Sequence, residues 1–332
     1  MRIGMPLSYR GGFALASAAI AEYEDAGLDV IFVPEAYSFD SVSQLGFLAA
    51  MTTRLQLASG IVNVYSRAPE LLAVTAASLD YMSGGRFILG LGPAGPQSSE
   101  GFHDLEYTSL VTRAREVAEV CRNVWRDRSL NGPARERVPM LLAALRPKNV
   151  ALAAELFEGW EPTFFYPDAA KEVFGAVLAE GAAKRDQALG PLQIYADAAV
   201  LITENPDEEA RGLNRVREQL ALHIGGMGAG ERNFYTGLIG RYGFEAEGRH
   251  LQDLYLAGQK AEAAAALPDQ LVRGVSLVGP RSRVAERVAA FAEAGVTTIN
   301  ASPVGIDHAT RLASIAALAE LVSDSGKRAA NP

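Results

Sequence analysis

Residues 54–97 read RLQLASGIVNVYSRAPELLAVTAASLDYMSGGRFILGLGPAGPQ, and their pattern decides the fold class. Leu55, Leu57 and Ile61–Val62 form a short apolar run of β type. From Pro69 to Met82 apolar residues recur at helical spacing, through Leu72, Val74, Ala76, Leu79 and Met82. Ser83-Gly84-Gly85 ends that helix, because glycine accepts the left-handed backbone of a helix C-terminus. Phe87–Leu89 is a second strand, and it runs into the glycine-rich exit Gly90–Gln97. One βαβ unit results.

The same alternation extends in both directions. Strands are predicted at Arg2–Pro6, Asp29–Val33, Met140–Ala143, Gly159–Phe165, Gln193–Ile202 and Thr297–Ala301, with helices between them, and Val275–Pro280 leads into the helix that precedes the last of these strands. Ser41 is the expected N-cap of the helix Ser41–Met51, and Asn205-Pro206-Asp207 opens another helix. Alternating strands and helices imply a parallel sheet with right-handed crossovers. Eight such units in 332 residues predict an α/β chain of the (β/α)8 TIM barrel class. A helical insertion at about 225–275 precedes the last strand. No linker composition interrupts the chain, so one domain over 1–326 with a tail at 327–332 is expected.

Composition narrows the function. With 49% hydrophobic residues, a net charge of −8 and one cysteine, the chain offers neither a disulfide nor a basic nucleic-acid face. No membrane-length apolar run or signal peptide is visible, and a cytoplasmic protein is expected. Cys121 lies in an amphipathic helix pattern and reads as a buried, inert thiol. His103, His223, His250 and His308 lack metal-ligand spacing, and most of them read as surface or loop residues, so no metal is expected.

In a parallel barrel the chemistry belongs to loops that follow the strands. Gly90-x-Gly92-x-x-Gly95 matches the dinucleotide fingerprint in form. However, Pro93 and Pro96 interrupt it, and no acidic residue follows at the required place. A phosphate-cradling loop and a plain tight turn both remain open. Gly60 inside a strand marks a bulge or a close approach, with a packing glycine as the plain alternative. Glu35 ends an apolar strand, where a carboxylate is costly unless it is hydrogen-bonded or used. Arg146-Pro147-Lys148 at a helix N-terminus is a candidate anion seat, and Gly279–Arg283 offers a similar one.

Several segments together resemble the luciferase-like monooxygenase superfamily and, within it, the coenzyme F420-dependent branch that includes methylenetetrahydromethanopterin reductase. They are GLDVIFVPEAYSFDSVSQLGFLAA (27–50), LQLASGIVNV (55–64), MSGGRFILGLGPAGPQ (82–97) with EGFH, ALRPKNVALAAE (144–155) with GW, ERNFYTGLIGRYGFEAE (231–247), LQDLYLAGQKAEAAAALPDQL (251–271), and LVGP followed by AGVTTI. Their order spans most of the chain. The resemblance implies a deazaflavin at the mouth of the barrel, backed by a bulge with a cis peptide at Gly60–Ile61 and flanked by Val62 and Asn63. The cofactor's phosphate side falls to Gly92, Pro93, Ala94, Gly95, Pro96 and Gln97. A further loop contributes Ala144, Leu145, Arg146 and Pro147.

Glu35, Tyr9 and Tyr37 are the implied proton-transfer residues, with Glu35 also beside the cofactor. Ala36 stands where relatives often carry histidine, and Arg146 where they often carry glycine. The implied activity is F420-dependent hydride transfer between the deazaflavin C5 and a C=N or activated C=C of a small molecule, acting as a reductase. An FMN-dependent monooxygenase and a non-catalytic flavin-binding barrel are the alternatives. A homodimer is expected, with no nucleic-acid or membrane partner, and the insertion's glycines are read as permitting lid motion.

Overall fold

The computed structural model describes residues 1–9, 12–35, 39–93, 109–126, 135–228 and 233–330, with side chains to 325. Ten strands form among them: β1 Arg2–Pro6, β2 Val30–Val33, β3 Gln56–Ser59, β4 Val62–Asn63, β5 Phe87–Gly92, β6 Met140–Ala143, β7 Gly159–Glu161, β8 Gln193–Ile202, β9 Ser276–Gly279 and β10 Thr298–Pro303. The fold is of the (β/α)8 TIM barrel class that the alternation predicts, with every registered strand pair parallel.

Contacts divide the chain into two units. The first holds 2–162 and 177–195. Its ladder runs β1, β2, β3, β5, β6, β7 and the start of β8, where Gly159 pairs with Gln193. Strand β2 is buried along its whole length, as a strand covered on both faces must be. Val30, Phe32, Ala58, Ile88, Leu141 and Tyr195 meet in one buried cluster, which fixes the face each strand turns to the core. The predicted helix of the opening unit is Pro69–Met82, with Pro69 in its first turn and Gly84 and Gly85 at positive φ of 68° and 85° beyond its end.

The second unit holds 163–176 and 196–332 with Met1. In it the end of β8 pairs with β9, from Ala199 opposite Ser276 to Ile202 opposite Gly279. Strand β8 also pairs with β10. The insertion therefore precedes the last two strands, where the sequence reading placed it before the last one. It is built of the helices Phe234–Ile239, Glu245–Leu256, Lys260–Ala265 and Asp269–Gly274. The chain turns at Phe164, whose φ is 52°, so the strand expected over 159–165 stops at Glu161.

Candidate active site

The first unit's strand ends are organised by a bulge. Ala58 lies opposite Ile88, whereas Val62 lies opposite Leu91, so four residues on one strand span three on its neighbour. Within this break the Gly60–Ile61 peptide is cis, as expected. The Ser59 hydroxyl replaces the missing ladder contacts, donating to Gly90 O at 2.9 Å and accepting from Gly90 N at 2.8 Å. Val62 and Asn63 beyond it are buried.

Three glycines make room for this arrangement. A Cβ on Gly90 would stand 1.9 Å from Ser59 O, and one on Gly60 would stand 2.8 Å from Phe32 Cβ. A Cβ on Gly92 would stand 2.9 Å from Ile61 Cγ1. The conspicuous glycines of β5 thus have a packing purpose, since Gly90 and Gly92 accommodate the bulge. Pro93 follows directly, while Ala94, Gly95, Pro96 and Gln97 lie outside the described residues.

Glu35 has partners that the sequence did not suggest. Its Oε2 accepts from Ser41 N at 3.0 Å, Ser41 Oγ at 2.6 Å and Arg67 Nη2 at 3.0 Å. Its Oε1 accepts from Arg67 Nη1 at 2.6 Å. Arg67 also reaches Asp40 at 2.7 Å. Burial alone would lower the pKa of Arg67, but Glu35 and Asp40 raise it. Arg113 then donates to the carbonyls of Val64 at 3.0 Å and Arg67 at 3.1 Å, tying down the turn after β4. The geometry makes Glu35 an anchor between two loops. Asp40, not Ser41, caps the following helix by accepting from Ser43 N at 2.7 Å, because Ser41 is turned to Glu35.

The Tyr9 hydroxyl is buried and has no hydrogen-bond partner among the described residues. Tyr37 lies outside them. After β6, Ala144 and Leu145 are buried, whereas Arg146, Pro147 and Lys148 are exposed at the start of the helix Pro147–Leu156. No side chain caps that helix, so its N-terminus retains the character of an anion seat. The second seat read from sequence is already filled. Glu204 accepts from Arg281 N at 3.0 Å, and Arg281 and Arg283 pair with Glu320 and Glu209.

A polar cluster in the second unit was missed. Tyr195 faces the core, and strand alternation puts Asp197 on the same face, one pleat further along β8. Asn300 Nδ2 donates to Asp197 Oδ1 at 2.7 Å, and Thr163 Oγ1 donates to Oδ2 at 3.4 Å. Burial pushes the Asp197 carboxyl up to about 7 against the lowering effect of both partners. Asn300 is 4% exposed, and its Oδ1 has no partner among the described residues. Burial, and then the Asp197 charge, push the nearby Tyr235 hydroxyl to about 12. His223 contacts Tyr235 at 4.9 Å and Phe164 at 5.1 Å between ring centroids, and burial lowers its pKa. It is a half-buried residue packed against aromatic rings.

Two further readings are resolved by the packing. Cys121 is fully buried, with burial raising its thiol to about 12. Gly225 and Gly226 end the helix Pro206–Gly226 beneath Tyr255, where a Cβ on Gly225 would come within 2.4 Å of the Tyr255 side chain. They are packing glycines, not hinges. Among the described residues no helix is long and apolar enough to cross a membrane, and no group of three acidic, histidine or cysteine side chains could hold a metal.

With this geometry in hand, the family model described as luciferase-like monooxygenase matches residues 1–298. The chain belongs to that family. Luciferase-like monooxygenase relatives include a Mycobacterium tuberculosis protein named for coenzyme F420-dependent oxidoreduction, 34% identical over 90% of this chain and 93% of that one. The 5,10-methylenetetrahydromethanopterin reductase of Archaeoglobus fulgidus is 26% identical over 86% of this chain and 88% of its own. Among solved structures, the coenzyme F420-dependent tetrahydromethanopterin reductase of Methanopyrus kandleri superposes with a TM-score of 0.78 at 20% identity, over 97% of this chain and 98% of that one. Membership makes this chain an enzyme of the oxidoreductase class.

Proposed function

We propose that this enzyme binds coenzyme F420 and transfers a hydride between it and a C=N or activated C=C of a small organic substrate, most simply as a reductase. The observation that carries the reading is the near end-to-end match, at 34% identity, to the F420-named mycobacterial relative. The residues present fit a deazaflavin in kind. The strand ends offer the apolar Ile61 and Val62, the Tyr9 hydroxyl without a partner among the described residues, and the exposed Arg146 and Lys148 at an uncapped helix N-terminus for phosphate.

When bound, a reduced deazaflavin supplies a hydride, and the protein supplies position and electrostatics. In this reading Ile61 would line the ring side of the site, and Arg146 and the helix N-terminus would attract the anionic tail. The Glu35–Arg67 anchor ties the turn that follows Asn63 to the end of β2. A homodimer belongs to the same proposal, and light scattering checks it.

Titration of the purified protein with F420 and with FMN, followed by flavin and deazaflavin absorbance, tests the cofactor. Saturable binding of F420 but not FMN is expected. Binding of FMN alone, with oxygen-dependent turnover from reduced FMN, would replace the reading with that of a monooxygenase. F420 binding without reaction across a broad substrate panel would leave a non-catalytic binding barrel.

A further inference from the structure

Asp197, Asn300 and Thr163 all belong to the second unit, as do the aromatic rings beside them. Asp197 is half-buried, so solvent reaches it, and both partners that hold it are neutral: Asn300 Nδ2 at 2.7 Å and Thr163 Oγ1 at 3.4 Å. Each carboxyl oxygen keeps a further lone pair. Asn300 is almost wholly buried, and its Oδ1 lacks a donor among the described residues. A buried amide oxygen without a donor is costly, which points to a ligand that brings an N–H or O–H. Because Nδ2 of the same amide sits on Asp197, the unmet oxygen and the carboxyl lie side by side.

Three rings stand next to this pair. Phe164 follows Thr163 directly and turns at a φ of 52°, a backbone state that a bulky residue adopts only where its surroundings impose it. Its ring meets those of His223 and Tyr235 edge to face, with centroids 5.1 Å and 5.8 Å away. Tyr235 is close enough to Asp197 for that charge to act on its hydroxyl. His223 Nδ1 lies 2.8 Å from Gln219 O, so the neutral ring donates there and keeps Nε2 as an acceptor. Burial favours the uncharged form of His223 and of Tyr235. Acceptors and rings are thus gathered with no cation among them. An organic cation rich in N–H matches such a set, since oxygens take its hydrogens and ring faces attract its charge.

We propose that Asp197, Asn300 and the rings of Phe164 and Tyr235 form a binding site for the protonated amino group of a small arylalkyl amine. The site lies within one unit and stands without the hydride reading. The ammonium group donates to Asp197 and to Asn300 Oδ1, which supplies the donor that this oxygen lacks, while the apolar body of the ligand rests against the rings. A bound cation favours the carboxylate form of Asp197. Binding at mildly acid pH therefore breaks the Asp197 O–H bond and releases that proton to solvent, with no electrons exchanged. The titratable groups facing Asp197 in its unit are Tyr235 and His223, and both stay uncharged through the exchange.

The test titrates the full-length protein, with neither F420 nor FMN added, with benzylamine by calorimetry at mildly acid pH in two buffers of different ionisation enthalpy. Benzylamine should bind saturably and release a proton, read as a heat that differs between the buffers. Benzyl alcohol has the same ring without the charge and should bind about tenfold more weakly. Asp197→Asn should weaken benzylamine by a similar factor and abolish the proton release. Should that variant fail to fold, proton release by the native protein decides. Absence of saturable binding, binding without proton release, equal affinity for the alcohol, or unchanged affinity in Asp197→Asn overturns the assignment. Cofactor binding is read in its own titration, so failure of either result leaves the other standing.

Discussion

Glu35 follows β2 and Asp197 lies within β8, and the two carboxylates are separated by the company they keep. Glu35 is met by a bidentate arginine and by both donors of Ser41. Asp197 is met by an amide and a hydroxyl, with one more amide oxygen left waiting. The first arrangement neutralises charge and braces loops. The second shelters a proton beside an unmet acceptor. Position at a strand end identifies candidates, but the partners assign the work.

The bulge that frames Glu35's side of the molecule gives the largest expected effect. Gly90→Ala drives a methyl into Ser59 O, a backbone atom that cannot swing aside. It should cost about 3 kcal/mol, read as a lower urea midpoint. A native-like midpoint would mean that the β3–β5 contact is looser than described.

Arg67→Ala comes next. It strands the largely buried Glu35 without its cation and should cost about 2 kcal/mol, somewhat less than a fully buried pair because both side chains retain some exposure. Glu35→Ala made together with it should cost little more than either change alone. Full additivity of the two would break the claim that they act as one anchor.

The third prediction concerns pH. Asp197 is raised from the usual 3.8 to about 7, so between those values the folded state holds a proton that the unfolded chain has lost. Its contribution to stability is therefore greatest at the acid end and falls as pH rises through that window, by up to about 1.4 kcal/mol per unit. Asp197→Asn removes this slope. The variant should gain on the native protein from acid to neutral pH in urea titrations, and parallel curves would sink the contrast with Glu35. The smallest effect is at Cys121, whose buried thiol should resist iodoacetamide until the protein unfolds.

Much of the scaffold could be read from residue order because it rests on local periodicity. The opening βαβ unit, the Asn205 cap and the bulge at Gly60 all leave a mark within a few positions. Arg67 and Glu35 are 32 residues apart, and Asp197 and Asn300 are 103 apart, so no local pattern couples them. Asp197 did leave one trace, a lone acid in the apolar run Ile194–Ile202, whose cost when buried could have been weighed as Glu35's was. The glycines misled for a related reason. Gly90, Gly92 and Gly225 look like loop or hinge residues in sequence, and only the atoms opposite them reveal that they are close-packing positions.

The single extra residue between Ala58 and Val62 also sets a phase. Ile88 faces the core, so Gly92 does too, and the resumed ladder places Asn63 opposite Gly92. The same residues kept in strict alternation would instead put Val62 in the core-facing place and turn Asn63 towards the helices. The bulge therefore decides which chemistry stands at the strand's end, a carboxamide in place of an isopropyl group, while every other strand's alternation stays intact. It is a change of polarity made without any substitution.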